Sequence, residues 1–331
     1  MKIAIVILNW NGKSLLEQFL GTVVSHSEPL AEVYVIDNAS TDNSVNYIHA
    51  HFPSVTVIQN SENGGYAKGY NDGLVFIESD VYVLLNSDIK VGQGWLEPMI
   101  KLFKNPTIGA AQPKIKDYKK PSYFEYAGAA GGFLDSFGYP FCRGRIFDYC
   151  EKDLGQYDDT IEVQWASGAC LFIRALDFWQ VGGLDERFFA HQEEIDLCWR
   201  IKNSGKKIIA CGDSEVLHVG GATLATANAQ KTFYNFRNTL FNIVKNVKGI
   251  KALFIVISRL VLDGIAGFKF LIEGKPKHMI AILRAHLSFY YYLPSFMVDR
   301  VNLKHKMKYA TIFSIVWSYF ISQKRTYKDF L

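Results

Sequence analysis

The chain has 331 residues, 49% hydrophobic and 21% charged, with 26 Gly and 9 Pro. This excludes a disordered chain, which lacks the apolar surface to offset ordering entropy, and a collagen-like or low-complexity one; it suits one large domain, or a domain with an appendage. The net charge of +4 conceals an asymmetry, since residues 241–331 carry 15 Lys and Arg against 4 Asp and Glu, while residues 1–240 carry 21 against 28; two parts with different partners are expected.

Strands and helical patterns alternate at the start of the chain. Ile3–Leu8 is a continuous apolar run close to the N-terminus, as in a strand buried on both faces, and no signal peptide is expected. Leu15, Leu16, Phe19, Leu20 and Val23 give helical spacing over Ser14–Val24. Val33–Ile36 predicts a second strand, Asp42–His51 a helix, Val55–Ile58 a third strand, Ala67–Ile77 a helix and Val81–Leu85 a fourth strand. Such alternation predicts an α/β fold around a mostly parallel sheet. Ligands of such sheets bind beyond the carboxyl ends of the strands. That puts Asn9–Gly12, Asp37–Asp42, Ser61–Gly65 and Asn86–Asp88 on one edge.

Residues 110–160 interleave Gly with aromatics and predict loops and short strands. Val163–Ile173 reads as a strand broken at Ser167-Gly168, Phe188–Lys202 as a helix and Val216–Gly221 as a short strand. A helix is expected from Phe233 to about Lys245. The tail also holds 16 of the 48 aromatic residues. Its longest uncharged stretch, Tyr309–Gln323, has fifteen residues, and Ala285–Val298 contains Pro294. A membrane span needs about 20 residues, so the expectation is amphipathic helices on an anionic membrane surface, with a helical subdomain packed on the body as the alternative. Five cysteines without a CxxC pair point to reduced thiols and a cytosolic setting.

Several residue groups can carry chemistry. Asp37 ends the second strand, where a carboxylate accepts a hydrogen bond from a ribose hydroxyl or a base imide; it is equally suited to forming a turn. Asn63-Gly64-Gly65 opens a helix with backbone N–H groups that can approach a phosphate or sugar, or else makes a tight loop. Asn86-Ser87-Asp88 follows the fourth strand and suits a hard cation bridging a diphosphate, or caps a helix over Ile89–Phe103. Glu193, Glu194 and Asp196 crowd three carboxylates into four residues, which raises the pKa of at least one and makes a general base, or simply opens a helix. His218 lies in an apolar segment, as a structural histidine or a metal ligand.

In order, the segments Ile7–Gly12, Asp37–Asp42, Asn63–Ala67, Leu84–Asp88, Gly182–Phe189, Glu193–Leu197 and His218–Gly221 closely resemble family 2 glycosyltransferases of the GT-A fold, particularly the rhamnosyltransferase-like branch. The resemblance covers roughly residues 1–240 and makes residues 241–331 a C-terminal helical extension. It implies that Asn9, Trp10, Asp37, Asn63, Gly65, Asn86 and Ser87 contact the donor, with Trp10 stacking on the base. Asn86-Ser87-Asp88 takes the place of an Asp-x-Asp motif for Mn²⁺ or Mg²⁺, with Asp88 as the main ligand and His218 as a second. The family base is the second residue of a Glu-Asp pair, which is Glu194 here, with Asp196 as the substitute. Tyr234–Asn238 resembles a segment following the catalytic domain; Arg237 there can pair a phosphate oxygen, or else lies on a helix surface.

The implied activity is inverting, metal-dependent transfer from a nucleoside-diphosphate sugar, of thymidine or uridine rather than guanosine, to a glycan or lipid-linked acceptor for surface polysaccharide. Transfer is expected at the cytoplasmic membrane face, with no nucleic-acid partner. A nucleotidyltransferase is the second class; it would need basic residues in a Gly-rich N-terminal loop, and Asn9-Trp10-Asn11-Gly12-Lys13 is a poor match. A sugar- or membrane-binding relative without activity is the third, motivated by Asn86 and Glu194 at variant positions.

Overall fold

A computed structural model describes residues 1–220, 228–300 and 308–330. Gly221, the last residue of the motif at His218, lies outside the described residues. The first half alternates β1 (Ile3–Asn9), α1 (Lys13–Ser27), β2 (Glu32–Asp37), α2 (Ser44–His51), β3 (Thr56–Gln59), α3 (Gly65–Leu74), β4 (Val81–Leu85), β5 (Ile89–Val91), α4 (Glu97–Phe103) and β6 (Ile108–Asp117). Short strands follow: β7 (Gly132–Asp135), β8 (Pro140–Cys142), β9 (Arg145–Ile146), β10 (Tyr149–Cys150) and β11 (Thr160–Val163). Next come β12 (Cys170–Arg174), α5 (Ala175–Gln180), α6 (Glu193–Asn203) and β13 (Lys207–His218). The chain closes with α7 (Ala229–Asn246), α8 (Lys251–Ile272), α9 (Pro276–Asp299), β14 (Ala310–Ile312) and α10 (Ile315–Phe320).

The larger sheet runs β11-β13-β6-β12-β4-β1-β2-β3, with β5 beside β13. β1 pairs in parallel with β2 and β4, and β2 with β3, so their carboxyl ends share one edge. The near-continuous apolar runs of β1 and β4 are explained by burial on both faces: Ala4, Ile5, Val6 and Leu84 have no exposed surface. Beyond β4 the sheet changes character, because β12 runs antiparallel to both β4 and β6. A second sheet runs β10-β9-β8-β7-β14.

Three sequence expectations change. Val163–Ile173 is not one broken strand: β11 pairs with β13, while β12 inserts between β4 and β6. Ile89–Phe103 is not one helix, since Ile89–Val91 pairs as a strand with β13 and the helix starts only at Glu97. The strand ending at His218 has 12 residues rather than a few, because a register shift between Cys211 and Glu215 lets it bend and keep pairing with β6.

The tail packs on the body. α7 runs through residue 240 without a break, and β14 joins β7. On α8 the burial is inverted. Arg259 and Asp263 are 1% and 0% exposed, whereas Phe254, Val261, Ile265 and Phe268 are 61–62% exposed. Burying a charge requires a partner, and Asp263 has three. Arg259 Nε donates to it at 2.9 Å, Tyr139 Oη donates at 3.0 Å, and His286 Nε2 of α9 lies 3.1 Å away. Among the described residues, no helix is long and apolar enough to cross a membrane.

Candidate active site

The parallel register aligns Asn9 with Asp37 at the ends of β1 and β2. Both are buried and bonded to each other, Asn9 Nδ2 donating to Asp37 Oδ1 at 2.9 Å. Asp37 Oδ2 accepts from the Ser40 amide, also at 2.9 Å. Asn9, expected among the donor contacts, is therefore a support for the loop edge: its Nδ2 also donates to the hydroxyls of Ser40 and Ser44. Trp10 stands 52% exposed beside them, with its ring free to stack. The next loop is tied to the same edge, since Asn63 Oδ1 accepts from Asn38 Nδ2 and from the Gly65 amide. Gly65 has φ +80°, and a Cβ there would lie 2.7 Å from the Phe189 carbonyl oxygen. Only glycine fits, so this loop docks directly against the turn that precedes α6; the Tyr66 amide donates to that same carbonyl at 3.0 Å.

Asp88 and His218 meet because β5 pairs with β13 in a register that sets His218 opposite Ile89. His218 Nε2 lies 3.1 Å from Asp88 Oδ1, and its Nδ1 lies 3.1 Å from Glu125 Oε2. Asn86 Nδ2 is 3.4 Å from the same Nε2, and Ser87 lies half-buried between Asn86 and Asp88. Burial opposes a charged His218, but the flanking carboxylates of Asp88 and Glu125 outweigh it and raise its pKa to about 10, so a cation at this site would have to displace the proton on Nε2. Adjacent ligands on an octahedral ion at about 2.1 Å stand about 3 Å apart. The Nε2–Oδ1 separation of 3.1 Å fits shared coordination, and a carboxylate on the other imidazole nitrogen is the usual support of a metal-bound histidine. Among the described residues, no three His, Cys, Asp or Glu side chains form a metal cage by themselves. Substrate phosphates and water would have to complete the shell, as is common for Mg²⁺ and Mn²⁺.

The helix expected from Phe188 begins only at Glu193, because three residues before it adopt positive φ: Phe189 (64°), His191 (68°) and Gln192 (68°). Such conformations cost about 1–3 kcal/mol each and persist only where neighbours enforce them. α7 supplies the restraint. Asn238 Nδ2 donates to the carbonyls of Phe188, Ala190 and His191 at 3.1, 2.9 and 2.6 Å. Thr239 and Asn242 hold Gln192. The turn presents Glu193 and Glu194. Glu193 is buried, with an Oε2 that has no hydrogen bond among the described residues, and burial followed by the neighbouring Glu194 raises its pKa well above the usual range. Glu194 is half-buried opposite Gly168, and burial, only partly offset by backbone N–H groups at the helix start, raises its pKa to about 7. A carboxylate of that pKa is matched to proton abstraction at neutral pH.

Residues 4–163 match the family model "Glycosyl transferase family 2". The N-acetylglucosaminyl-diphospho-decaprenol L-rhamnosyltransferase of Mycobacterium tuberculosis is 26% identical over 229 residues, which is 65% of this chain and 75% of that protein. Residues 4–163 are a family 2 glycosyltransferase domain, and the protein is a glycosyltransferase. Its fold is GT-A. Staphylococcus aureus TarS 1–349, solved with UDP-GlcNAc, superposes with a TM-score of 0.57 at 14% identity, covering 91% of this chain and 89% of that one. The mannosyltransferase PcManGT of Pyrobaculum calidifontis, solved with GDP-Man and Mn²⁺, gives 0.54 at 15% identity, covering 92% and 88%. The family match sets aside the nucleotidyltransferase reading.

Within this glycosyltransferase, two more of the expected site residues are committed elsewhere. Asp196 has no exposed surface and binds Arg200 Nε at 2.7 Å, Lys245 Nζ at 2.9 Å and Asn246 Nδ2 at 2.9 Å. Burial opposes its charge, but Arg200 and Lys245 prevail and keep its carboxyl below the usual pKa, so it joins α6 to α7. Arg237 was expected to pair a phosphate. Its guanidinium instead donates to the carbonyls of Arg187 and Phe188 at 3.1 and 2.9 Å and stacks on Phe241, bracing the strained turn together with Asn238. Glu125 escaped sequence reasoning. It sits between Phe124 and Tyr126 in the Gly- and aromatic-rich stretch, where no spacing marks it, and only its contact with His218 gives it a role.

Proposed function

We propose that this glycosyltransferase moves a hexosyl group, with rhamnose as the first candidate, from a nucleoside-diphosphate sugar to a lipid-linked or surface-polysaccharide glycan, with inversion. The observation that carries this reading is the docking of the Asn63–Tyr66 loop on the turn before Glu194, with Asp88 and His218 across the same sheet edge. Trp10 stacks on the base, and the backbone of the Asn63–Gly65 loop lies against the donor. Glu194 takes the proton of the acceptor hydroxyl as that oxygen attacks the anomeric carbon and the nucleoside diphosphate leaves from the opposite face. Direct attack forms no covalent glycosyl-enzyme. Glu194 is chosen over Asp196 because Asp196 is buried in ion pairs. Asp88 and His218 would hold Mn²⁺ or Mg²⁺, which neutralises charge on the leaving diphosphate; imidazole favours Mn²⁺. The test is a panel of nucleotide sugars with a diphosphate-lipid N-acetylglucosamine acceptor, in Mn²⁺ and in EDTA. The reading expects nucleoside diphosphate and an elongated glycolipid of inverted anomeric configuration, in Mn²⁺ only. Release of pyrophosphate, or retention of configuration, would contradict it.

The same reading places the enzyme on the inner face of the cell membrane. Support comes from α8 and α9, whose outward faces carry Phe254, Val261, Ile265, Phe268, Leu287 and Tyr291 at 61–79% exposure. Lys251, Lys269, Lys275, Lys277 and Arg284 are exposed on or beside these helices. Apolar patches of this extent are rarely left to water, and each basic residue near an anionic bilayer adds about 1 kcal/mol of attraction. Packing on the body and contact with a bilayer, posed as rivals by the sequence, are compatible here: Arg259 and Asp263 face the body while the apolar side chains face out.

A further inference from the structure

On the far side of His218 from Asp88 lies a cationic group that the mechanism above does not use. Arg145 is only 8% exposed, yet among the described residues no carboxylate lies within 4 Å of it, and its Nε has no hydrogen-bond partner. Among the described residues its side chain makes one hydrogen bond, a weak contact from Nη2 to Cys142 Sγ at 3.4 Å. A buried guanidinium without an anion is costly, because it has given up hydration and gained no charge in return. Arg145 lies over the ring of Tyr126, 4.4 Å from its centroid, and Lys231 Nζ lies over the same ring at 5.5 Å. One aromatic ring therefore gathers two cations that repel each other. Burial, partly offset by Glu125, lowers the Lys231 pKa, and the Arg145 charge lowers it further. His191, in the turn before the base, also has an Nε2 without a partner among the described residues, and burial and the Lys231 charge keep it neutral, with a pKa of about 4. Tyr126 is 39% exposed, so the group opens to solvent.

We infer that Arg145 and Lys231, gathered on Tyr126, form an anion subsite that receives phosphate oxygens of a substrate. A planar guanidinium with free donors suits two oxygens of one phosphate, and the lysine adds a point charge. A bound phosphate would relieve both the repulsion and the missing partner. The acceptor is the favoured source. The group is separated from Asp88 by His218 and Glu125, and it adjoins His191, on the side where the acceptor hydroxyl must meet Glu194. The inference rests on the reading of phosphate-bearing substrates given above, and the first arm of its test needs no turnover.

That arm titrates the full-length protein with inorganic pyrophosphate in EDTA, where no cation can recruit the anion. The wild type should bind, and Lys231→Gln and Arg145→Gln should each weaken binding at least about ten-fold, the effect of losing one charge-assisted hydrogen bond. Lys231 is half-exposed at the start of a helix, so its variant decides the matter if Arg145→Gln fails to fold. No binding by wild type, or equal binding by Lys231→Gln, would overturn the subsite. The second arm compares KM for a diphosphate-linked acceptor with KM for the nucleotide sugar. A ten-fold rise for the acceptor in Lys231→Gln assigns the subsite to the acceptor phosphate, and a rise for the nucleotide sugar alone assigns it to the donor. A rise in neither would overturn a role in substrate binding.

Discussion

His218 Nε2 faces Asp88 Oδ1 at 3.1 Å while its Nδ1 faces Glu125. The imidazole is thus fixed in orientation by one carboxylate and directed at another. Asp88→Ala removes the carboxylate that would anchor a cation. Transfer should fall by about 10²–10³ or more, the size of losing a major electrostatic stabiliser, while the circular dichroism spectrum stays that of the wild type. Undiminished wild-type transfer in EDTA would contradict the cation role.

Glu125→Gln keeps the shape of the group holding Nδ1 but weakens its acceptor. The expected outcome is a 10–100-fold weaker affinity for Mn²⁺, the usual effect of removing such a partner, measured by titration with the nucleoside diphosphate present. An unchanged Mn²⁺ affinity would show that His218 is not a ligand.

Asn238→Ala strips one donor from three buried carbonyls beside positive-φ residues. Phe188 keeps its bond from Arg237, but the other two carbonyls lose theirs, which should cost about 2–4 kcal/mol of stability, read by urea unfolding. Turnover should drop more than donor affinity, because the turn presents Glu194. Arg237→Gln should behave similarly; a large rise in donor KM with normal stability would instead restore Arg237 as a phosphate ligand.

Glu194 carries a pKa of about 7 against an ordinary value of 4.5. As a base it works only when deprotonated, so turnover should rise with pH through about 7 and level off above it. Stability runs the other way. The folded state holds this proton more tightly than the unfolded state, so the contribution is full below the ordinary carboxylate pKa and is lost as pH rises through about 7. Glu194→Gln should lessen that slope, Glu193 supplying the remainder, and melt higher than wild type at pH 8.

Membrane attachment is best tested by surface substitution. Ending the chain near Lys245 would uncover Phe241 and remove the strand that completes the second sheet. The triple variant Phe254→Ser, Ile257→Ser, Val261→Ser leaves the buried face of α8 intact. It should lose sedimentation with anionic liposomes while keeping donor binding. Equal sedimentation of both proteins would refute the docking face.

Much of the nucleotide half was legible because its signals are local. Val81–Leu85 reads as a strand and is one, and Asp37 and Asn86 sit at strand ends where the polar breaks put them. The second half was less so, because its partners are distant in sequence. Ser167-Gly168 marks the point where the chain leaves β13 and crosses to β4, and no periodicity reports which strand is joined. Arg237 and Asp196 carry charges that look available in a linear reading; only packing reveals that backbone carbonyls and Lys245 consume them. The burial of α8 follows the same logic, since Arg259 and Asp263 look solvent-facing in a linear reading and only packing shows them turned to Tyr139 and His286.

The central claim is that Glu194 is the base of a direct glycosyl transfer. The decisive measurement is single-turnover product formation by wild type and Glu194→Gln, with saturating nucleotide sugar, diphosphate-lipid acceptor and Mn²⁺. Glutamine keeps the size of the side chain but takes up no proton, so the rate should fall by about 10²–10⁴ with donor affinity unchanged. A Glu194→Gln enzyme that transfers sugar at close to the wild-type rate would contradict the account.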